Sequence, residues 1–413
     1  MRLLQLCKKF PYPLKDGESI AVMNLSRSLH DLGCEVSLLA MNTTKHFCDV
    51  TSVNGSFKHF KQAFYTELDN TLNFKDAFMN LFSRESYHIS RFKCPEFEAQ
   101  LIKMLKENTF DVVQLETLYM APYIPIIRKY SKAIIAMRAH NVEHEIWSRV
   151  AQNTTPFYKK LYLKYLTNKL RKYEINQLNK YDLMIAISQK DLDTFRKLGY
   201  NNAGLVTPIG LDSASYKADN RSYKKDISLS FIGSLDWMPN LEGLKWFLDN
   251  VWDTLLAKYP NLKLHVAGRN TPTTLINAKY KNVKVYGEVD DAKKFINRHT
   301  VMVVPLLSGS GMRAKILEGM ALGKVVLTTQ LGLEGINAKH KEHVLVADTA
   351  AEFIEALDYC YRSNGSLSKL GKSAQMLVNT EYSNLETAKS LIAEYQKIDR
   401  KRESVPDKVL YVS

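Results

Sequence analysis

Several things are scarce in this chain, and each scarcity removes a class of protein. There are five cysteines in 413 residues (Cys7, Cys34, Cys48, Cys94 and Cys360), none in a Cys-x-x-Cys pair and none in a metal-like spacing with histidine. That pattern argues against a disulfide framework or a zinc module and fits reduced thiols in a cytoplasmic protein. No stretch reaches eighteen uninterrupted apolar residues, so no membrane-spanning segment is expected. The opening MRLLQLCKKFPYP holds only a short apolar run, too short for a signal-peptide core, and reads as a first strand. Long low-complexity tracts are missing too, while aromatic residues make up 10% and apolar residues 45% of the chain. The composition is that of a folded protein long enough for two domains.

Charge is unbalanced, with a formal net charge of +14. Residues 1–210 hold 29 Lys/Arg against 20 Asp/Glu, and residues 157–180 hold seven basic residues against the single Glu174. Six of those nine excess charges thus fall in one segment. A basic chain could meet nucleic acid, an anionic membrane or an anionic ligand. Clustering on one segment and the lack of a recognisable nucleic-acid module leave a non-catalytic nucleic-acid binder as the remote alternative.

Short apolar runs alternate with segments of helical period, the sequence form of a parallel sheet covered by helices. In the first half the expected strands are Leu3–Cys7, Cys34–Ala40, Asp111–Gln114, Ala133–Met137 and Leu183–Ile187. Ser188 is the expected N-cap of a helix through QKDLDTFRKLG, which Gly199 ends. Turn residues at Thr207–Gly210 interrupt the pattern. A second series then runs through Leu229–Gly233, Leu262–Gly268, Val283–Gly287, Val301–Pro305, Val325–Thr328 and Val344–Ala347. The expected organisation is one Rossmann-like domain over 1–208, another over 209–381, a C-terminal helix over 382–398 and a charged tail over 399–413. Such sheets bind ligands at the carboxyl ends of their strands, so two facing domains would place a site in a central cleft.

The segment VPLLSGSGMRAKILEGMALGK carries the most chemistry. Its strand ends at Pro305, the loop Ser308-Gly309-Ser310 follows, and Gly311 is expected to open a helix running to about Leu322. Glycines admit a ligand close to the backbone, and free amides at a helix start attract anions. Lys315 and Glu318 share one helical face, with Arg313 near the first turn. That arrangement suits a sugar nucleotide, cations meeting the diphosphate and a carboxylate meeting the ribose diol. An ordinary amphipathic helix with a Lys315–Glu318 ion pair fits equally well.

The segment resembles the signature of GT-B retaining glycosyltransferases, in particular glycosyltransferase family four (group 1). PLKDGES, RAHNVEHEIW, IAIS, TPIGLD, FIGSLDWMPNLEGLKWF and VAGRN fall in the family's order, and the likeness extends to about residue 380. It implies an α/β chain of two Rossmann-like domains facing a central cleft, its C-terminal helix packing back toward the first domain. The implied activity is retaining, metal-independent transfer of a sugar from a UDP- or GDP-linked donor to a hydroxyl acceptor. Such transfer serves cell-surface polysaccharide, lipopolysaccharide or lipid-linked glycan synthesis. No Asp-x-Asp lies in a phosphate-facing loop, in keeping with an absent metal, and no cofactor is implied beyond the donor itself.

By the resemblance, His140 orients the donor sugar and Glu318 holds the ribose, with Arg138 and Glu143 as weaker candidates. Gly17, Gly233, Gly309, Ser310, Gly311, Met312, Arg313 and Lys315 complete the donor site. The chain departs from the family at three places. Ser310 stands where a glutamate is common, and Ser234 where an arginine is common, with no lysine until Lys245; Arg313 and Lys315 are the substitutes for that charge. Gly17 is single where a Gly-Gly pair is common, and its neighbours Asp16 and Glu18 face either solvent or an acceptor. A sugar-nucleotide epimerase of the same fold is the alternative activity.

The basic segment from Phe157, FYKKLYLKYLTNKLRKYEINQLNKY, interleaves lysines with Tyr and Leu at helical spacing. One reading is a surface helix docking peripherally on the inner face of an anionic membrane. The other is a solvated helix packing Leu161, Leu170, Tyr173 and Leu178 on the first domain.

Overall fold

In the computed structural model, the described residues are 1–403 without 15–16, 51–52, 54, 72–79, 81–82, 84, 155, 209, 213–214 and 310–311. The chain divides into two compact units, Met1–Gly210 with Leu385–Ser413, and Leu211–Asn384.

Unit one is built on seven strands: β1 (Arg2–Cys7), β2 (Glu35–Thr43), β3 (Phe60–Leu68), β4 (Val112–Glu116), β5 (Ile134–Ala139), β6 (Leu183–Ala186) and β7 (Ala203–Val206). They lie in the order β3-β2-β1-β4-β5-β6-β7, and every pairing is parallel. β4, β5 and β6 are buried along their whole length, as strands covered on both faces must be, which is why their sequences read as apolar runs. β3 and β7 were not among the expected strands. They are the two edges; β3 is mostly exposed and β7 half-buried throughout, so neither had to be continuously apolar. Ser188 caps the helix Gln189–Lys197 by accepting from the Asp191 amide at 3.1 Å, and Gly199 follows at φ +102°, as expected.

Unit two repeats the plan with six parallel strands: β8 (Ser228–Ile232), β9 (Lys263–Ala267), β10 (Val283–Val285), β11 (Val301–Val304), β12 (Val325–Thr328) and β13 (Leu345–Val346). Their order is β10-β9-β8-β11-β12-β13. In each unit the first strand lies beside the fourth, and a chain that winds outward in both directions from that pair leaves a crevice at their carboxyl ends. Glu116 ends β4, while Gly233 and Pro305 follow β8 and β11, so the polar residues below sit at those crevices.

The closing helix, Asn384–Glu403, belongs to unit one. Its Ala388, Leu391 and Tyr395 are fully buried in a cluster with Leu3, Val36, Ile134 and Leu183. The C-terminal helix therefore packs on the first domain, as the sequence resemblance implied.

Candidate functional site

In unit two, helix Met238–Phe247 reaches the turn after β11 very closely. A Cβ on Gly243 would lie 1.9 Å from the Pro305 carbonyl oxygen, so only glycine permits this approach. The approach brings Asn240 over the end of β8. Its Nδ2 donates to the Ser234 carbonyl at 2.8 Å, and a Cβ on Gly233 would stand 2.7 Å from that same nitrogen. The Asn240 Oδ1 accepts from Lys315 Nζ at 2.6 Å. One buried amide thus ties the loop after β8 to the helix Ala314–Ala321.

That helix begins later than its sequence suggested. Arg313, not a residue near Gly311, is the N-cap, with extended backbone, and the helical turns start at Ala314. Ser310 and Gly311, both expected in the donor site, lie outside the described residues. Gly309 is at φ +101°, a left-handed conformation that favours glycine, with Trp237, Pro239 and Arg313 around it. Ser308 Oγ donates to Glu242 Oε2 at 2.6 Å, and Met312 packs beside Gly335.

Lys315 is half-buried, 5.2 Å from the centre of the Phe231 ring. Loss of hydration pushes its pKa down to about 7, and repulsion from Arg313 adds to the fall. Arg313 is itself 6% exposed and lies 5.7 Å from the centre of the Trp237 ring. Burial lowers its pKa too, against the attraction of Glu334.

Glu318 points to another set of neighbours. Tyr216 donates to its Oε1 at 3.0 Å. Lys293 sits 4.0 Å from the Tyr216 ring centre and donates to the carbonyl and hydroxyl oxygens of Ser215 at 3.1 and 2.9 Å. Burial raises the Glu318 pKa, and the Tyr216 hydrogen bond and Lys293 only partly offset it. The Lys315–Glu318 ion pair allowed by the sequence is thus replaced by two separate contacts, lysine to Asn240 and glutamate to Tyr216. Neither Asn240 nor Tyr216 was picked out from the sequence. Asn240 lies inside a quoted motif, but Tyr216 falls in a polar stretch without period and gave no signal.

Elsewhere in this unit, Lys324 is a structural lysine, fully buried and donating to the Ser222 hydroxyl and the Asn297 carbonyl, each at 3.0 Å. A cavity of about 450 Å³ lined by Gln330, His340, Asp348 and Glu355 contains none of the expected site residues.

In unit one the register sets Cys7 of β1, Glu116 of β4 and Arg138 of β5 side by side. Glu116 is fully buried, and its Oε2 lies 2.9 Å from His140 Nε2 and 3.5 Å from Arg138 Nη1. Gln114 donates to Oε1 at 2.5 Å and accepts from the Tyr395 hydroxyl at 2.8 Å. Burial alone would raise the Glu116 pKa, but Arg138 and His140 overcome it, and the net direction is down. His140 therefore does stand at the carboxyl end of its strand, held by Glu116 through Nε2. The sequence did not show Glu116 as its partner; the one available signal was a carboxylate ending an apolar strand.

The remaining first-domain candidates have the following surroundings. Arg138 is 2% exposed and donates to the Ala21 carbonyl at 3.3 Å. Glu143 accepts from the Tyr119 hydroxyl at 3.0 Å, and burial raises its pKa. A Cβ on Gly17 would meet nothing within 4 Å, and Glu18 pairs with Lys8 and Lys9 at 3.3 and 3.6 Å rather than facing solvent alone. Asp16 lies outside the described residues.

The closest physical description of both units is the Rossmann-like pair of the GT-B glycosyltransferase fold, and solved structures agree. Sucrose-phosphate synthase from Thermosynechococcus elongatus matches with a TM-score of 0.68 at 14% identity, covering 97% of this chain and 100% of that one. Anabaena HepE in complex with UDP matches with a TM-score of 0.63 at 13% identity, covering 98% and 100%. HepE with UDP-glucose matches at 0.60, again at 13% identity and 98% and 100% coverage. Residues 226–363, the greater part of unit two, match the family model described as Glycosyl transferases group 1. Among curated proteins, an uncharacterized 44.6 kDa protein in the cps region of Klebsiella pneumoniae is 21% identical over 397 residues, 93% of this chain and 97% of its own.

Proposed function

We propose that this protein is a retaining glycosyltransferase of family four type, acting in cell-surface polysaccharide, lipopolysaccharide or related glycan synthesis. The observation that carries the reading is the pairing of a cation-rich helix start, in which Arg313 is buried and Lys315 half-buried, with a half-buried carboxylate one turn further on. Lys315 and Arg313 are two positive charges at the mouth of a Rossmann crevice, and a diphosphate is the ligand that such charges stabilise best. Glu318, already accepting from a tyrosine hydroxyl, would accept from a ribose hydroxyl in the same way. The UDP and UDP-glucose complexes of HepE, and the location of the Klebsiella relative, support the donor class and the setting.

In the reaction, the anomeric carbon–oxygen bond to the diphosphate breaks and a bond to the acceptor oxygen forms on the same face. The acceptor's proton leaves with the nucleoside diphosphate. Lys315 and Arg313 stabilise the charge growing on that leaving group, work that a divalent ion performs in other enzymes. His140, fixed by Glu116, is the residue we assign to orienting the sugar. Because lost hydration holds the Lys315 pKa down to about 7, binding of the diphosphate favours its charged form and takes up part of a proton. We place the enzyme in the cytoplasm, working at the inner face of the membrane.

A thermal-shift screen against UDP, GDP and ADP and their sugars tests the donor assignment, since a ligand bound only by the folded state raises the melting temperature. A rise with one nucleotide family that Glu318→Ala removes is the expected result. No rise with any of them would refute the assignment. Conversion of the donor sugar without an acceptor would make the protein an epimerase instead.

A further inference from the structure

Helix Phe157–Gln177 has two unlike faces, and the inward one accounts for its place in unit one. Leu166, Thr167, Leu170, Glu174 and Gln177 are buried. Glu174, the only acid in this basic helix, accepts from the amides of Glu143 and His144 at 3.0 and 3.1 Å and from His144 Nδ1 at 2.6 Å. A carboxylate set at the start of helix Glu143–Asn153 satisfies amides that have no partner within their own helix. The acid thus clamps the basic helix down, and its charge does not reach the outer surface.

The opposite face is apolar as well. Leu161, expected to pack inward, is 51% exposed, because nine residues separate it from Leu170 and that is about two and a half turns. Phe157 and Tyr158 are 73% and 78% exposed, and Tyr165 lies four residues beyond Leu161 on the same stripe. Lys159, Lys164, Arg171 and Lys172 are exposed around and beyond these residues. The outward face therefore carries three aromatic rings and a leucine among cations, and the helix has no exposed carboxylate.

We propose that this face docks on an anionic lipid bilayer, with Phe157, Tyr158 and Leu161 entering the headgroup region and the lysines meeting lipid phosphates. The charge complementarity selects this occupant: aromatic rings suit the interface between headgroups and acyl chains, and each exposed lysine gains from a negative leaflet. A second copy of this chain would bring its own cations against these, which disfavours self-association. The inference uses unit one alone and is independent of the donor chemistry in unit two.

Co-sedimentation of the full chain with vesicles tests it, comparing phosphatidylcholine alone with phosphatidylcholine containing phosphatidylglycerol. The wild type should bind the anionic vesicles and be released by high salt. Phe157→Ser with Leu161→Ser, and separately Lys159→Glu with Lys164→Glu, should each weaken binding at least about tenfold. All four positions are exposed, so circular dichroism and melting temperature should not change. Lys372→Glu, an exposed charge reversal in unit two, should leave binding within about twofold, separating this face from net charge. Failure to bind anionic vesicles at low salt would overturn the proposal, as would equal weakening by Lys372→Glu. A dimer that the Phe157/Leu161 variant dissociates, without lipid binding, would overturn it in favour of a second copy.

Discussion

The two units place polar side chains at corresponding ends of their sheets, yet the charges are arranged in opposite ways. In unit one, Glu116 gathers Arg138, His140 and Gln114 around a single carboxylate, and the net effect holds it ionised in a fully buried position. In unit two, Lys315 and Arg313 repel each other at one helix start while Glu334 attracts Arg313, half-buried Lys315 donates to a neutral amide, and Glu318 accepts from a phenol with Lys293 near. In the first, the carboxylate is matched by the cation beside it. In the second, two cations lie beside the one carboxylate that attracts Arg313, a charge balance that a bound anion would improve.

Breaking the first arrangement should cost the most stability. Glu116→Gln leaves the Arg138 charge buried without its carboxylate, and removing one member of a buried pair costs about 3–5 kcal/mol. Urea unfolding should show that loss; a change under about 1 kcal/mol would contradict the account of unit one.

Glu318→Ala should act on function instead. We expect a fall in kcat/KM of roughly 100-fold or more, about 3 kcal/mol of lost donor binding. Turnover and donor affinity equal to wild type would remove Glu318 from the site.

The stability of unit two should also respond to pH through Lys315. A lysine whose folded pKa has fallen to about 7 binds fewer protons when folded than when unfolded, between about 7 and its ordinary value near 10.4. The unfolded state therefore takes up more protons in that window, and stability rises with pH across it. Lys315→Met should flatten the rise, and an identical pH profile in the variant would argue that the ammonium is solvated.

Tyr395→Phe is the mildest change, removing one buried hydrogen bond to Gln114 for about 1 kcal/mol. A much larger loss would mean that the closing helix braces His140 more strongly than that single bond suggests.

What could be read in advance follows from the same contrast. Strands covered on both faces announced themselves as apolar runs, and Ser188 with Gly199 marked a helix at both ends, because those signals are local. The edge strands β3 and β7 escaped because an edge needs no continuous apolar run. The Ser308–Leu322 segment was recognisable as a motif, but its lysine and glutamate were placed on a shared face without their true partners. Asn240 is 75 residues away from Lys315 and Tyr216 is 102 away from Glu318, so only the folded chain brings them together. Glu174 shows the same limit: the sequence displays a lone acid in a basic segment, and only the folded chain shows it anchoring the helix.

The most direct test of the central claim is titration calorimetry of UDP, GDP and ADP into the wild type and Lys315→Met near pH 7.5, repeated in two buffers of different ionisation enthalpy. The account predicts that one nucleotide binds the wild type with uptake of part of a proton, and that the variant binds at least about tenfold more weakly without that uptake. Binding of equal strength and equal proton linkage in the variant, or no binding of any of the three to the wild type, would contradict it.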